Sequence, residues 1–323
     1  MKHVYIKVVL ILITCSLGCN QTPGIGTQDR LVTDVQQTDT PAVHTNGNPD
    51  TNQTTVPAEG SSNVEDEAAG GAEDRLRLFS WNVESEGADG ATIASQLTQL
   101  NPNDRYDVLA LSEVMPENFK DFRSALGKHY KYAYSKSGWN DRLQILYNEN
   151  RFEKVRHFEI QEINLKNRYR APLVVHLKQR SDGAEILVMV NHLARGKSEV
   201  RQQQATMLVE WARNETLPVI ALGDYNFDYV FSTRKGNPAF TNMMRDNIWR
   251  WIAPSKMVDT NWFDNPREPD GKDDYPGSML DFAFVSGPAK DWKSVCNIIV
   301  REGDFPDDEK TSDHRPFELL IEK

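Results

Sequence analysis

The chain has 323 residues, and its 37 lysines and arginines against 47 aspartates and glutamates give a formal net charge of −10. Its three cysteines are too few for a disulfide framework, which excludes the small secreted scaffolds that depend on one. Residues 20–74 contain ten acids against Arg30 alone, and residues 1–19 contain two lysines and no acid, so residues 75–323 carry only −3. A nearly neutral domain neither requires nor excludes a polyanionic substrate.

The first 19 residues have the pattern of an export signal. Two lysines precede a short apolar run, Val8 to Thr14, which is followed by small residues and Cys19. The sequence Ser16-Leu17-Gly18-Cys19 resembles a bacterial lipobox, although Ser16 stands where the usual leucine would be. We therefore expect cleavage before Cys19 and acylation of its thiol. The protein would then be a membrane-anchored lipoprotein of the cell envelope, or a secreted protein if Cys19 is not acylated.

Residues 20–74 have the composition of a disordered acidic linker. They contain no Phe, Trp or Tyr, and Thr, Gln, Asn, Pro, Gly and acids dominate. Such a segment cannot bury enough apolar surface to fold. The folded domain is therefore predicted to span residues 75–323, within which apolar neighbours predict a buried, inert Cys296.

From Leu76 onwards the sequence alternates short apolar runs with turn residues. The predicted strands are Leu76 to Trp81, Asp107 to Val114, Leu143 to Tyr147, Val155 to Phe158, Leu173 to Leu177, Ile186 to Val190, Val219 to Leu222, Leu280 to Val285 and Phe317 to Ile321. Helices are predicted for Ala91 to Leu100 and for Glu199 to Arg213. This mixture of many strands and few helices predicts an α+β domain with two packed sheets.

Polar side chains recur where these strands end. After the run between Pro218 and Gly223, Asp224 and Asn226 are two residues apart, so in extended chain their side chains point the same way while Tyr225 faces elsewhere. Taken alone, this stretch is better explained by an ordinary Asp/Asn turn. The full set of polar residues at strand ends is Asn82, Glu84, Glu113, His192, Asp224, Asn226, Asp281, Asp313 and His314. Oxygen-rich ligands with few nitrogens suit Mg²⁺ or another hard cation and phosphoester chemistry.

Six sequence blocks carry a family resemblance. They are Ser80-Trp81-Asn82-Val83-Glu84, Leu111-Ser112-Glu113-Val114, Asn191-His192-Leu193, Gly223-Asp224-Tyr225-Asn226, Leu280-Asp281-Phe282 and Ser312-Asp313-His314-Arg315-Pro316. In this order they resemble the motifs of the endonuclease/exonuclease/phosphatase superfamily, the deoxyribonuclease I-like fold. The resemblance implies a four-layered αββα sandwich, in which two packed mixed β-sheets are flanked by helices and the site lies at one rim.

The resemblance also implies a role for each site residue. Glu113 would be the principal ligand of Mg²⁺ or Mn²⁺, with Asn82, Glu84 and Asp313 near the ion or ordering its waters. Either His314, oriented by Asp281, or Asp224 would be the general base, and this choice stays open. Asn226 would bind phosphate, and His192 would donate to the scissile phosphate or the leaving oxygen.

The implied activity is metal-dependent hydrolysis of phosphoester bonds by attack of water on a metal-bound phosphate, with a phosphodiesterase or nuclease favoured. Arg170 and Arg195 are candidate substrate contacts, possible partners include nucleic acid, and the protein is expected to be a monomer. An inositol-phosphate phosphatase or a sphingomyelinase-like phospholipid diesterase is the alternative, which an apolar loop near the site would favour. Trp249 to Ile252 and Trp262-Phe263 are candidates for such a loop, or simply core. A binding module that has lost catalysis is the remaining alternative.

Overall fold

The computed structural model describes residues 75–84, 87–302, 304 and 310–323. The predicted export signal, the lipobox with Cys19 and the acidic linker lie outside these residues. Among the described residues, no helix is both long and apolar enough to cross a bilayer.

Two six-stranded mixed sheets form the centre of the domain. Sheet A has the strand order β11-β12-β1-β2-β4-β3 and sheet B has the order β5-β6-β7-β8-β10-β9. The strands of sheet A are β1 (Arg75–Asn82), β2 (Val108–Val114), β3 (Tyr130–Tyr134), β4 (Arg142–Asn148), β11 (Lys293–Ile298) and β12 (Phe317–Glu322). Those of sheet B are β5 (Phe152–Glu159), β6 (Leu173–Gln179), β7 (Glu185–His192), β8 (Val219–Val230), β9 (Trp249–Trp251) and β10 (Ser278–Ser286). The pair β1 and β2 is parallel, as is the pair β7 and β8, so each sheet has a parallel centre within antiparallel neighbours.

Four helices cover the outer faces of the two sheets. They are α1 (Gly90–Leu100), α2 (Phe119–Leu126), α3 (Ser198–Arg213) and α4 (Pro238–Met243). Ile93 of α1 and Phe122 of α2 pack with residues of sheet A, whereas Leu208 of α3 packs with residues of sheet B. A third apolar cluster joins the inner faces of the two sheets. The predicted αββα sandwich is therefore confirmed.

Side chains along the central strands alternate between two packed faces, so these strands are apolar on both faces. In β1, Leu76 and Leu78 belong to the cluster between the sheets, while Phe79 and Trp81 face the layer of α1 and α2. A strand buried on both faces is mostly apolar until it leaves the core. This is why the polar residues of the predicted site follow apolar runs.

Several elements were not predicted from the sequence. The helices α2 and α4 are short, and β3, β9 and β11 lie at or next to the edges of the sheets, where the exposed face carries polar residues. Cys296 is buried in β11 as predicted. Burial raises the pKa of its thiol, which keeps it unreactive.

Candidate active site

Strand alternation brings the predicted site residues to one end of the space between the sheets. Val188 and Val190 of β7 and Ile220 and Leu222 of β8 point between the sheets. Continuing the same alternation places the next polar side chains of each strand on that face. By this rule Asn82 ends β1, His192 ends β7, Asp224 follows in β8 and Asp281 lies near the start of β10.

Two backbone irregularities bring the remaining groups into place. Glu113 has φ 55, at the point where the register between β2 and β4 shifts. Gly223 has φ +127, and a Cβ there would lie 2.2 Å from the carbonyl oxygen of Asn191. Only glycine fits both this conformation and this close approach. The strand does not end at Gly223 as predicted, because β8 continues to pair with β10 as far as Val230.

Asn82 lies at the centre of the site. Its Nδ2 is 2.9 Å from Glu113 Oε1, 3.2 Å from Asp224 Oδ2 and 3.4 Å from His314 Nε2. Its Oδ1 accepts from the backbone N–H of Glu84 at 3.1 Å. The amide therefore joins the acids of both sheets, and its oxygen is engaged on the side away from them.

His314 forms a buried pair with Asp281. Its Nδ1 lies 2.8 Å from Asp281 Oδ2, and both side chains are almost fully buried. Burial lowers the pKa of His314, but the charges of Asp281, Asp313 and Asp224 outweigh this effect and hold the pKa well above its ordinary value. The carboxylate fixes which ring nitrogen faces the site, so Nε2 is the atom available for proton transfer.

His192 has a carboxylate partner of its own that the sequence did not reveal. Its Nδ1 lies 3.3 Å from Asp141 Oδ1, and its Nε2 lies 3.6 Å from Glu113 Oε1 and 3.5 Å from Asp224 Oδ2. Burial and the charge of Arg170 lower the pKa of His192, but Asp141 and Asp224 raise it by more. Asp141 follows no apolar run, since it lies in the loop before β4, so strand-end reasoning could not find it.

Arg170 lies behind this second pair. Its Nη1 donates to Asp141 Oδ2 at 2.5 Å and its Nε donates to the carbonyl oxygen of His192 at 3.2 Å. Burial raises the pKa of Asp141, but Arg170 and His192 outweigh that effect and the net pKa is lowered. Arg170 holds the Asp141–His192 pair through these contacts, and its predicted contact with substrate stays a prediction.

The segment carrying Asp313 and His314 is attached to the end of β1. Ser312 Oγ donates to the carbonyl oxygen of Asn82 at 2.5 Å, and Trp81 Nε1 donates to the carbonyl oxygen of His314 at 2.8 Å. Glu84 Oε2 accepts from the backbone N–H of Asp313 at 2.9 Å. Glu84, predicted as a metal ligand, thus uses one of its carboxylate oxygens to fix this segment.

Asn226 and Arg195 form one side of the site. Asn226 has φ 52, and its Nδ2 donates to the carbonyl oxygen of Leu193 at 3.0 Å. Arg195 Nη1 donates to Asn226 Oδ1 at 3.2 Å and to Asp228 Oδ1 at 2.6 Å. The guanidinium also lies 5.9 Å from the centre of the Tyr275 ring. Arg195, predicted to contact substrate, therefore reaches the site directly.

The donor set fits a divalent cation. Glu113, His192 and Asp224 each offer one ligand atom, and these atoms lie within 4.8 Å of one another. Burial, and next the charge of Asp141, raise the pKa of Glu113 above its ordinary value, and a bound cation would favour the charged form of this carboxyl. Glu113 belongs both to this group and to the predicted set of Asn82, Glu84, Glu113 and Asp313. Oxygen-rich ligands of this kind suit Mg²⁺ or Mn²⁺.

Comparison with known proteins identifies the family. Residues 79–314 match the model of the Endonuclease/Exonuclease/phosphatase family. Comparison with curated proteins finds no match.

Three solved structures illustrate the likeness in fold. An endonuclease/exonuclease/phosphatase family protein from Bacteroides thetaiotaomicron is 18% identical, with a TM-score of 0.57, over 76% of this chain and 94% of its own. A mannosyl-6-phosphatase from the same species is also 18% identical, with a TM-score of 0.57, over 76% of this chain and 99% of its own. D. rerio TDP2, complexed with a single-strand DNA product, is 17% identical, with a TM-score of 0.61, over 77% of this chain and 99% of its own. The sandwich, the order of the six sequence blocks and the family match over most of the sequence lead to one conclusion: the chain belongs to the endonuclease/exonuclease/phosphatase family.

Proposed function

We propose that this protein hydrolyses phosphoester bonds with the help of a divalent cation, and that its substrates are phosphodiesters, nucleic acids foremost. Proteins of its family are hydrolases of phosphoester bonds. The observation that carries the proposal is the convergence of Glu113, His192, Asp224 and His314 around Asn82 between the two sheets. This arrangement combines acceptors for a cation with imidazoles for proton transfer.

One group of residues would hold the cation and another would hold the phosphate. Mg²⁺ or Mn²⁺, held by Glu113 with Asn82, Glu84 and Asp313 nearby, would supply positive charge opposite the phosphate oxygens. Asn226 and Arg195 would hold a phosphoryl oxygen; the hydrogen bond from Arg195 to the Asn226 side chain keeps the two residues together.

In this proposal, His314, His192 and Asp224 are the groups that transfer protons. His314 Nε2 lies 3.9 Å from Asp224 Oδ2, and one of these two groups would accept a proton from the attacking water. His192 Nε2 lies 3.5 Å from the same carboxylate oxygen, and His192 would donate to the scissile phosphate or the leaving oxygen.

The decisive experiment compares bis-p-nitrophenyl phosphate with p-nitrophenyl phosphate as substrates of the purified protein. Turnover that requires Mg²⁺ or Mn²⁺, stops with EDTA and is lost in His314→Ala would support a phosphoesterase, and the preferred ester separates diesterase from phosphatase. Asp246→Asn is a matched control, because this acid pairs with Arg213 at the far end of α3, about 24 Å from the end of α3 that begins at Ser198. Absence of turnover with both esters in the folded protein would contradict the proposal and favour a binding module that has lost catalysis.

A phosphatase or phospholipid diesterase is the second candidate function. The similar structures include both a mannosyl-6-phosphatase and a TDP2 bound to a DNA product, so likeness in fold does not choose between esters. Of the apolar segments considered, Trp249 is core, whereas Trp262 lies beside the site with its backbone N–H on the Asp313 carbonyl oxygen. Trp262 and Phe263 are only half-exposed and lead into acidic chain, which disfavours insertion into a lipid surface.

We also propose that the protein is exported and held at a membrane of the cell envelope through acylated Cys19, and that it acts as a monomer. The motif at Ser16 to Cys19 supports the first statement. Metabolic labelling with a radioactive fatty acid tests it: label in the protein that disappears in Cys19→Ser is the expected result. Equal label in both would contradict it.

A further inference from the structure

Trp139 is the most exposed large apolar side chain of the described residues, and its backbone is strained. Its side chain is 76% exposed. Its φ is 53, a left-handed conformation that is unfavourable for a bulky residue and favours glycine. Neither the exposure nor the backbone conformation stabilises the fold. A strained, exposed tryptophan indicates a role outside folding.

The turn that carries Trp139 is firmly held. The backbone N–H of Asp141 donates to the carbonyl oxygen of Gly138 at 2.8 Å, which closes a four-residue turn with Trp139 at its second position. Gly138 has φ +98, and a Cβ there would lie 2.1 Å from the carbonyl oxygen of Asp141. Ser137 Oγ donates to Glu159 Oε1 and accepts from the backbone N–H of Ala171, so this sheet A loop is tied to sheet B.

The same turn reaches the catalytic centre. Asp141, two residues after Trp139, is the partner of His192 and of Arg170. Two residues of chain span at most about 7 Å, so Trp139 lies close along the chain to the carboxylate that contacts the His192 imidazole.

Charge differs between two loop regions that connect to site residues, here named the basic rim and the acidic rim. The basic rim consists of residues 135–142 and 161–170, which contain Lys136, Arg142, Lys166, Arg168 and Arg170 against two acids. The acidic rim consists of residues 264–274, which contain five acids against two bases. This acidic rim is attached to the catalytic segment, since the backbone N–H of Trp262 donates to the carbonyl oxygen of Asp313 at 2.9 Å.

We propose, resting on the proposed function, that Trp139 is a specificity-determining residue: an unpaired base of a single-stranded oligonucleotide stacks on its indole, and the strand leaves the site over the basic rim. Interleaved cations and exposed aromatics bind single strands in this way, the cations neutralising phosphates and the rings stacking bases. The acidic rim repels the phosphates of the oligonucleotide, so the oligonucleotide leaves the site over the basic rim. A membrane plane would contact both rims and meet the acids, so a strand fits this surface better than a bilayer does.

The test measures binding of a fluorescein-labelled eight-nucleotide thymidine oligomer by anisotropy, with Mg²⁺ and in a His314→Gln background so that the oligomer is held and not cleaved. Trp139→Ala is expected to weaken binding about tenfold, Trp139→Leu to weaken it equally, and Trp139→Phe to retain most of it. Trp139→Asn, which tolerates the left-handed backbone, is expected to raise Tm while weakening binding. A merely structural role would not combine these two effects.

The matched controls are a nearby exposed aromatic residue and one lysine on each rim. Tyr134→Ala removes an exposed aromatic that stacks on Phe119 of α2, with ring centres 4.6 Å apart, and should leave binding unchanged. Lys166→Ala on the basic rim should weaken binding and its salt dependence, whereas Lys272→Ala on the acidic rim should not.

Equal affinity of wild-type and Trp139→Ala proteins, or tighter Trp139-dependent binding to phosphatidylcholine vesicles than to the oligomer, would overturn this inference. Hydrolysis of bis-p-nitrophenyl phosphate, measured in the wild-type His314 background, keeps the two proposals separate. Turnover without Trp139-dependent binding overturns only the stacking role, and Trp139-dependent binding without turnover overturns only the proposed phosphoesterase.

Discussion

Two imidazoles lie near Asp224 Oδ2, and each is paired with a carboxylate of its own. Asp281 lies behind His314 at 2.8 Å, and Asp141 lies behind His192 at 3.3 Å. Both acids are held by further contacts: Asp281 through its backbone N–H to Thr260 Oγ1 and Asp141 through Arg170. Asp281 and Asp141 thus set the orientation and the charge of His314 and His192.

Asp281→Asn tests how far His314 depends on its carboxylate. Burial lowers the pKa of His314 and Asp281 is the largest of the charges that raise it, so removing this charge must lower that pKa. We expect kcat/KM to fall roughly 10²-fold or more, and the limb of the pH profile that reports His314 to move to lower pH. An unshifted profile would show that His314 is not the group that titrates in catalysis.

Asp141 should act only through His192, and a double-mutant cycle tests this. Asp141→Asn is expected to lower kcat/KM by about tenfold to a hundredfold in the wild type, because the imidazole loses its orienting partner. In a His192→Ala background the same change should have almost no further effect. Additive losses would mean that Asp141 contributes independently, for example to the cation.

At the scale of elements, the parallel pair β7 and β8 positions half of the site. Asn191 pairs with Gly223 and His192 pairs with Asp224, so the two strands place an imidazole and a carboxylate side by side. The pairing needs a close approach that a Cβ at Gly223 would prevent.

Gly223→Ala should therefore destabilise the fold. The methyl group would meet backbone rather than a flexible side chain, and φ +127 is unfavourable for alanine. We expect a loss on the order of 3 kcal/mol and a lower Tm by thermal unfolding. Gly196→Ala is the control, because nothing lies within 4 Å of a Cβ there. Equal Tm values for the two variants would contradict the argument.

The central strands could be predicted from the sequence, because burial on both faces makes them continuous apolar runs that end in polar residues. The same signal identified Asn82, His192, Asp224 and Asp281, whose positions follow the alternation of side chains along their strands. Edge strands such as β3 carry polar residues on an open face and give no such signal. Asp141 lies in a loop whose position depends on tertiary contacts. Trp139 is identified only by its exposure and its backbone conformation. Neither the tertiary contacts of Asp141 nor the exposure and backbone conformation of Trp139 can be predicted from local sequence.

Across the whole molecule, the candidate site is a junction between the sheets. Glu113 comes from sheet A, whereas His192 and Asp224 come from sheet B. Elsewhere the sheets are joined by apolar contacts such as those of Val108 and Ile220. At the site end, carboxylates of both sheets face each other in a buried space, and their repulsion opposes the packing of the sheets.

A bound divalent cation should therefore link the two sheets and stabilise the entire domain. With free Mg²⁺ or Mn²⁺ at about 100 times its Kd, binding to the folded state alone adds about 2.7 kcal/mol, which corresponds to roughly 5–10 °C in Tm for a domain of this size. Thermal unfolding with and without EDTA measures this shift. Glu113→Gln removes a ligand while relieving repulsion, so it should raise the Tm of the metal-free protein and abolish the metal-dependent increase. A variant that keeps the full increase would show that Glu113 does not hold the cation.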